Sequence, residues 1–180
     1  MKKSTVLIAI LALILQGCGP LQVNLMNPNP NLDLIESKQK IILLIDDGIS
    51  NEFEIPEKNG VRPINVTEWH SSLKKGFENG FKDYYTIVEN KENADLILEL
   101  TRADLEFVPA AISGSYGVVA INSQIDFKAI LKNNNNEVLN SDAGTSVSKN
   151  ATNQPSQVTS VVESSVESMY EILSKEIFEN

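Results

Sequence analysis

Cysteine and histidine are almost absent from this sequence, which has one of each among its 180 residues, Cys18 and His70. One cysteine cannot form a disulfide within the chain, and one histidine excludes the zinc sites that several histidines build. A serine nucleophile would have only His70 as its base, and the chain has no Gly-x-Ser-x-Gly motif. We therefore expect a protein that is not an enzyme, with no catalytic residue, no metal site and no cofactor.

Positive charge is also scarce, because 15 Lys and Arg residues face 24 Asp and Glu residues, for a net charge of −9. An acidic surface repels the phosphates of nucleic acids and the headgroups of anionic lipids. The glycine-rich loops that hold phosphates are missing as well. We expect no nucleic-acid partner, and any attachment to a membrane has to come from something other than surface charge.

Long apolar runs are missing too, with one short exception at the amino terminus. Residues 6–15 form an unbroken apolar stretch after Lys2 and Lys3, and this stretch is too short to span a bilayer as a helix. It ends in Leu15-Gln16-Gly17-Cys18. The order of a basic start, an apolar core and a small residue before cysteine resembles the lipobox signal of bacterial lipoproteins. The other possibility is an ordinary secretory signal followed by a chance cysteine.

The lipobox resemblance implies a lipid anchor at Cys18. By that resemblance residues 1–17 are a signal peptide that is removed, and Cys18 carries the acyl chains, since several chains give stable anchoring. Gly19 follows Cys18, where an aspartate would resemble an inner-membrane retention signal. We therefore expect a protein of the cell outer membrane that faces the periplasm and has the membrane as a partner through lipidated Cys18.

The mature chain divides by composition into a tether and one domain. Residues 18–39 contain Asn27-Pro28-Asn29-Pro30-Asn31, which favours extended backbone and cannot continue a helix or a central strand. This composition predicts a flexible tether behind the lipidated cysteine. Residues 40–180 are long enough for a single domain with a core of its own. We expect that domain to lie in the periplasm.

The first half of the predicted domain holds one strand and one helix. Residues 41–45 are continuously apolar, which is typical of a buried strand. A helix is predicted over residues 67–83, with Thr67 as its N-cap and an apolar stripe that repeats every four residues from Trp69 to Phe81. Gly76 and Gly80 lie on or beside this stripe, so we expect the helix to approach a sheet closely there.

The second half predicts three strands in a meander and a last helix. The strands are placed at residues 95–107, with a bulge near Thr101 and Arg102, at residues 116–131, and at Val138–Val147 as an edge. A polar turn at residues 133–136 joins the last two. From Pro155 onward a valine-rich amphipathic pattern predicts a helix that covers the sheet. The predicted fold is α+β, a mostly antiparallel sheet of about four strands with two helices packed on one face.

This order of elements resembles the YajG-type lipoproteins, an uncharacterised bacterial family. The resemblance rests on the lipobox at residues 15–18, the strand at 40–46, the strand start at 94–98, the meander to Val147 and the serine- and valine-rich last helix. Similar architectures occur in lipoproteins that assist envelope transporters and in lipoproteins that activate peptidoglycan synthases. The resemblance carries no catalytic motif, so no site residue is transferred from it.

The segment at residues 108–117 is the strongest candidate for a contact surface. It joins two predicted strands and is therefore expected at an exposed hairpin tip, yet Val108, Ile112 and Tyr116 are apolar or amphipathic. Exposed apolar tips often mark contact with a partner or a membrane, and we expect these three residues to contact an envelope protein. The other interpretation is that the loop folds back onto the domain.

Two functions follow from these observations. The first is a non-enzymatic accessory or binding subunit of the cell envelope, of the transporter-auxiliary or peptidoglycan-synthase-activator type. The alternative is a periplasmic protein that binds a small lipid or peptide in a groove between the helices and the sheet.

Overall fold

The computed structural model describes residues 19–58, 61–113 and 118–179. These residues form eight strands and two α-helices. The strands are β1 Leu21–Val23, β2 Lys40–Ile45, β3 Phe53–Ile55, β4 Ile64–Val66, β5 Thr86–Ile87, β6 Leu96–Ser113, β7 Val118–Asn133 and β8 Val138–Val147. The helices are α1 Trp69–Phe81 and α2 Val158–Leu173, and a π-helical turn at Ser174–Phe178 continues α2. None of the described helices has the length and apolar content needed to cross a bilayer.

The strands form two sheets, which confirms the α+β class and corrects the predicted sheet. The larger sheet has five strands in the order β5-β2-β6-β7-β8, and the smaller has three in the order β1-β4-β3. The larger sheet is mixed, because β2 is parallel to both β5 and β6 while β6, β7 and β8 are antiparallel. The chain returns from β2 to β6 through α1, and a crossover of this kind brings strands together in parallel.

Several local predictions for the meander are confirmed. The register of β6 on β7 shifts between Leu100 and Arg102, where the change of apolar parity predicted a bulge. Asn136 has a φ of 62° in the turn between β7 and β8, a conformation that asparagine tolerates. β8 spans Val138–Val147 and lies at the edge of the sheet, as predicted from its sequence.

The β6–β7 hairpin is longer than predicted, so the predicted loop at residues 108–117 has to be corrected. β6 continues to Ser113 and β7 begins at Val118, with Ile112 opposite Val119. Proline cannot donate a ladder hydrogen bond, but a second register shift between Pro109 and Ala111 accommodates it. The apolar segment is therefore strand up to Ser113.

Helix α1 differs from its prediction at its start and in the contact that its glycines make. The helix begins at Trp69 after Glu68, which has a φ of 55°, and Thr67 does not cap it. A Cβ at Gly76 would lie 2.9 Å from Cε2 of Tyr170 in α2. The close approach predicted for a sheet is therefore an approach to the other helix.

Helix α2 joins the larger sheet through buried serines as well as valines. The Ser165 hydroxyl donates to the backbone oxygen of Ser123 in β7 at 2.9 Å, and Ser146 of β8 donates to the backbone oxygen of Ser165 at 2.9 Å. All three serines are fully buried. Small hydroxyl side chains let the helix lie close to the strands, and each buried polar atom has a partner.

The predicted tether is wrong for much of its length, because residues 21–32 belong to the folded domain. β1 pairs with β4 in parallel, and Val23, Met26 and Leu32 are buried in the core. Burial of these apolar side chains stabilises the folded domain, whereas a flexible tether would leave them in solvent. The domain therefore begins only three residues after Cys18.

The Asn-Pro repeat lies along the two helices and is held through its backbone. The backbone N–H groups of Asn27 and Asn29 donate to Oε1 of Glu163 and Oε1 of Glu167, each at 3.0 Å. These two glutamates are polar residues of the amphipathic helix α2. On α1, the Nδ2 of Asn79 donates to the backbone oxygen of Pro28 at 2.8 Å. A proline-rich extended segment leaves its backbone groups free for such side-chain partners.

Candidate functional site

An open, mostly apolar cleft lies between the two sheets. It is formed by β3, the segment leading to β4, and the middle of β6, and its volume is about 290 Å³. Its lining residues are Phe53, Glu54, Ile55, Pro56, Lys58, Val61, Arg62, Ile64, Leu105, Glu106 and Phe107. This volume is close to the lower end of the range for small-molecule sites, roughly 300 Å³ and above.

The cleft is bordered by two strand edges that have no neighbouring strand in the described residues. β3 is the outer strand of the three-stranded sheet. β6 pairs with β2 only as far as Leu100, whose backbone oxygen accepts from Asp46 at 3.0 Å. In the described residues no strand covers β6 on that side beyond this point. Two open strand edges therefore border one cleft.

The backbone of β6 is turned toward the cleft at alternate residues. The oxygen of Ala103 accepts a hydrogen bond from the Trp69 indole at 3.2 Å, on the side away from β7. Residues two apart in a strand direct their N–H and C=O groups to the same edge, so Leu105 and Phe107 present theirs on that side too. Ser123, which lies opposite Phe107, turns its backbone oxygen away from β6 to accept from Ser148 at 2.9 Å. These groups are available to an added strand.

The charges at the rim of the cleft are mixed. Glu54 and Glu106 contribute carboxylates, and Lys58 and Arg62 contribute cationic groups. The side chains of Leu105 and Phe107 are mostly buried, while Ile55 and Val61 are half-buried. The cleft can thus take up an apolar group on its floor and polar groups at its rim.

The one histidine of the sequence makes structural contacts here. His70 is half-buried, and its Nε2 lies 2.6 Å from the backbone oxygen of Ile49. Its backbone N–H donates to the Asn51 side chain at 2.9 Å. Among residues 19–58, 61–113 and 118–179, no three metal-ligating side chains come together. These contacts tie the loop after β2 to the start of α1.

The electrostatic features outside the cleft belong to the sheet and the helix pair. A hydrogen bond from the Thr145 hydroxyl, followed by contacts with Gln124 and Arg102, lowers the pKa of Asp126 on the exposed face of β7. Burial raises the pKa of the Tyr170 hydroxyl, which donates to the backbone oxygen of Leu73 at 2.8 Å. Neither group borders the cleft.

Two of the three predicted contact residues, Val108 and Ile112, lie in β6 beyond the cleft. Val108 is half-buried in β6 and follows the cleft residue Phe107. Ile112 is farther along β6, and Tyr116 and Cys18 lie outside the described residues. The structure leaves their roles in partner contact and lipidation as predictions.

The predicted ligand groove between the helices and the sheet is not where the cleft lies. Large side chains with no exposed surface or almost none fill that space, including Trp69, Phe77, Phe127 and Tyr170. The cleft lies between the sheets instead, and sequence patterns missed it because β3 and β4 have only three residues each. The alternation of Phe53 and Ile55 with polar neighbours was the one available signal.

A smaller depression continues from the cleft toward the amino terminus. It has a volume of about 170 Å³ and shares Val61 and Arg62 with the cleft. Leu21, Ile121 and Pro155 also line it. One end of the domain therefore brings together the start of β1, Ile121 of β7 and the residues that lead into α2.

Comparisons with known proteins identify the fold and leave the function open. No protein-family model and no curated protein sequence matches the chain. The crystal structure of a Xanthomonas campestris protein of the DUF330 family is similar, with 14% identity, a TM-score of 0.54, and coverage of 84% of this chain and 89% of that chain. The solution structure of uncharacterized lipoprotein B from Nitrosomonas europaea has 12% identity, a TM-score of 0.47, and coverage of 79% and 83%.

The similarity to the Xanthomonas protein shows a shared fold alone, because identity this low carries no function. Neither of the two structures is described as a YajG-type lipoprotein. The resemblance to that family therefore stays a prediction.

Proposed function

We propose that this chain is a lipid-anchored, non-enzymatic binding subunit of the cell envelope, an accessory of a transporter or of a peptidoglycan synthase. The observation that carries the proposal is the apolar cleft between two open strand edges, Phe53–Ile55 of β3 and the middle of β6. Such an edge binds an extended segment of another protein by main-chain hydrogen bonds, with pockets for alternate side chains. In this proposal the cleft receives one strand of the partner.

The anchoring half of the proposal rests on the lipobox at residues 15–18. It is supported by the position of β1, which starts at Leu21 and keeps the domain close to the lipidated cysteine. Three extended residues span about 10 Å at most. A subunit held this close to a bilayer is restricted to partners at the same membrane, here proposed to be the outer membrane from its periplasmic side.

Site-specific crosslinking in cells tests the partner. A photoreactive residue in place of half-buried Ile55 should form an adduct with one envelope protein, identified by mass spectrometry. The matched control places the same residue at Lys74, which is exposed on α1. Adding Val61→Arg, which puts a large charged group into the cleft, should abolish the adduct at position 55. The same adducts at both positions would contradict the proposal.

The alternative is a small lipid or peptide ligand in the same cleft. The apolar floor and the volume of about 290 Å³ favour this second candidate. Native mass spectrometry of the protein purified from membranes would then show a bound mass that Val61→Arg removes. A ligand-free spectrum together with a specific protein adduct at position 55 would leave the partner strand as the occupant.

A further inference from the structure

A polar depression lies where the Asn-Pro repeat passes the end of α1. Its volume is about 340 Å³, within the range of roughly 300–1,000 Å³ for small-molecule sites. Its polar lining residues are Asn29, Asn31, Asn79, Lys82, Asp83 and Tyr84. No residue lines both this depression and the cleft between the sheets. The polar depression is therefore a separate candidate for a binding site.

The asparagines of the repeat are held in place by the prolines between them. Pro28 and Pro30 are buried, whereas Asn29, Asn31 and the asparagine before Pro28 are exposed. Residues two apart in an extended segment point the same way, so the asparagine side chains form one row on the surface. Pro30 fits against Gly80 of α1, where a Cβ would lie 2.7 Å from Cγ of the proline. The row is thus fixed to the helix and does not depend on a ligand for its position.

The amide groups at the polar depression keep free donors and acceptors. Nδ2 of Asn79 donates to Oδ1 of Asn27 at 3.2 Å and to the backbone oxygen of Pro28 at 2.8 Å. These two bonds orient the Asn79 amide and leave its oxygen as an acceptor. The side chains of Asn29 and Asn31 make no hydrogen bond within the described residues. Each of these two amides therefore has two N–H donors and one oxygen acceptor to give to a ligand.

The other groups at the polar depression balance in charge and include an aromatic ring. Lys82 and Asp83 follow α1, are exposed, and form no ion pair in the described part of the chain. One cation and one anion leave this site without net charge, although the whole protein has a net charge of −9. The Tyr84 hydroxyl donates to the backbone oxygen of Leu32, which holds the half-buried ring in position. The ring adds an apolar surface to a set of polar groups.

We infer that the polar depression binds a neutral carbohydrate chain. Sugar hydroxyls both donate and accept hydrogen bonds, as the free amides do, while the C–H faces of a sugar ring pack on an aromatic side chain. An anionic ligand would meet a single lysine beside an aspartate, and an apolar ligand would leave the amides unpaired. The inference does not rest on the partner strand or on the lipid anchor, so each of the three can fail alone.

The test is a titration of the ¹⁵N-labelled mature chain with two tetrasaccharides, in a detergent without a sugar headgroup. Chitotetraose carries an acetamido group on every ring, whereas maltotetraose carries hydroxyl groups alone. We expect the side-chain NH₂ signals of Asn29 and Asn31 to shift with at least one of them. The backbone signals of Ile55 and Val61 in the cleft should stay in place. The sugar that binds more tightly identifies the glycan as an amino-sugar chain or a plain hexose chain.

A pair of double variants assigns the binding to these amides. Asn29→Ala with Asn31→Ala should raise the Kd of the sugar by about tenfold, the loss expected for two side-chain hydrogen bonds. The matched control, Asn134→Ala with Asn135→Ala, removes two exposed amides from the turn before β8 and should leave the Kd unchanged. Thermal melts that match the parent establish that both variants are folded. No shift with either sugar at millimolar concentration, shifts confined to the cleft, or an equal loss of binding in the two variants would overturn the inference.

Discussion

Replacing Gly76 by alanine has two opposing effects on stability. Alanine favours the helix more than glycine does, but its Cβ would crowd the contact between α1 and α2. Alanine in place of glycine stabilises a helix interior by about 1 kcal/mol. At Gly76, however, the new Cβ would lie 2.9 Å from Cε2 of Tyr170 and 3.1 Å from Cγ1 of Val166. The Tyr170 ring is fully buried and is held by its hydrogen bond to Leu73, so it cannot move aside freely.

Overpacking of a filled core costs about 1–3 kcal/mol, which exceeds the gain in propensity. We therefore expect Gly76→Ala to lower the free energy of unfolding by about 1 kcal/mol, the difference between these two contributions. For a domain of this size the melting temperature should fall by about 2–4 °C. Urea unfolding would measure the loss, and the dependence of the unfolding free energy on urea concentration should have the same slope in the variant and the parent.

A matched control separates the effect of helix propensity from the effect of the contact between α1 and α2. Ser71→Ala, at an exposed position of the same helix, should change stability by no more than about 0.5 kcal/mol. In a double-mutant cycle, Val166→Ala should relieve part of the effect at Gly76, because the two positions touch. A Gly76→Ala protein that is more stable than the parent, or effects that simply add, would refute the close helix contact.

Three further predictions concern the buried interior and the docked amino-terminal segment. Tyr170→Phe should cost about 1 kcal/mol in unfolding free energy by removing the hydrogen bond to Leu73. Burial raises the pKa of Tyr170, so the parent should lose stability as the pH rises past about 10, where the unfolded chain releases its proton. The phenylalanine variant should lose less, and parallel pH–stability curves would contradict this. Met169→Asp, a carboxylate at a fully buried position of α2, should lower the unfolding free energy by several kcal/mol, and an unchanged melt would refute its burial. Replacing Glu163 and Glu167 together by alanine should speed hydrogen exchange at the two amides that they accept from, and unaltered exchange there would show that the segment is held by other contacts.

The sequence predicted those elements whose signals are local. The bulge after Leu100 showed as a change of apolar parity, and the polar turn before β8 showed as a run of asparagines. The strand Val138–Val147 was predicted with the bounds that it has. These features depend on residues within a few positions of one another, so their patterns survive whatever the rest of the chain does.

Features that depend on distant contacts could not be predicted in this way. The Asn-Pro repeat has the sequence of a tether, and it is held against the domain by hydrogen bonds to side chains of the two helices. Glu163 and Glu167 have the local character of a solvent face, yet they accept hydrogen bonds from residues more than a hundred positions earlier. The cleft depends on where β2 stops beside β6, which no pattern within either strand records.

The short link between Cys18 and β1 has a mechanical consequence. A long flexible linker between a lipid anchor and a domain can extend when the anchor moves, whereas a link of three residues can extend very little. With the lipid anchor that we propose at Cys18, a pull on the terminus would reach the hydrogen bonds between β1 and β4 directly, and would act on them along the strand direction. Tension between the bilayer and a bound partner would then be carried by the three-stranded sheet that borders the cleft.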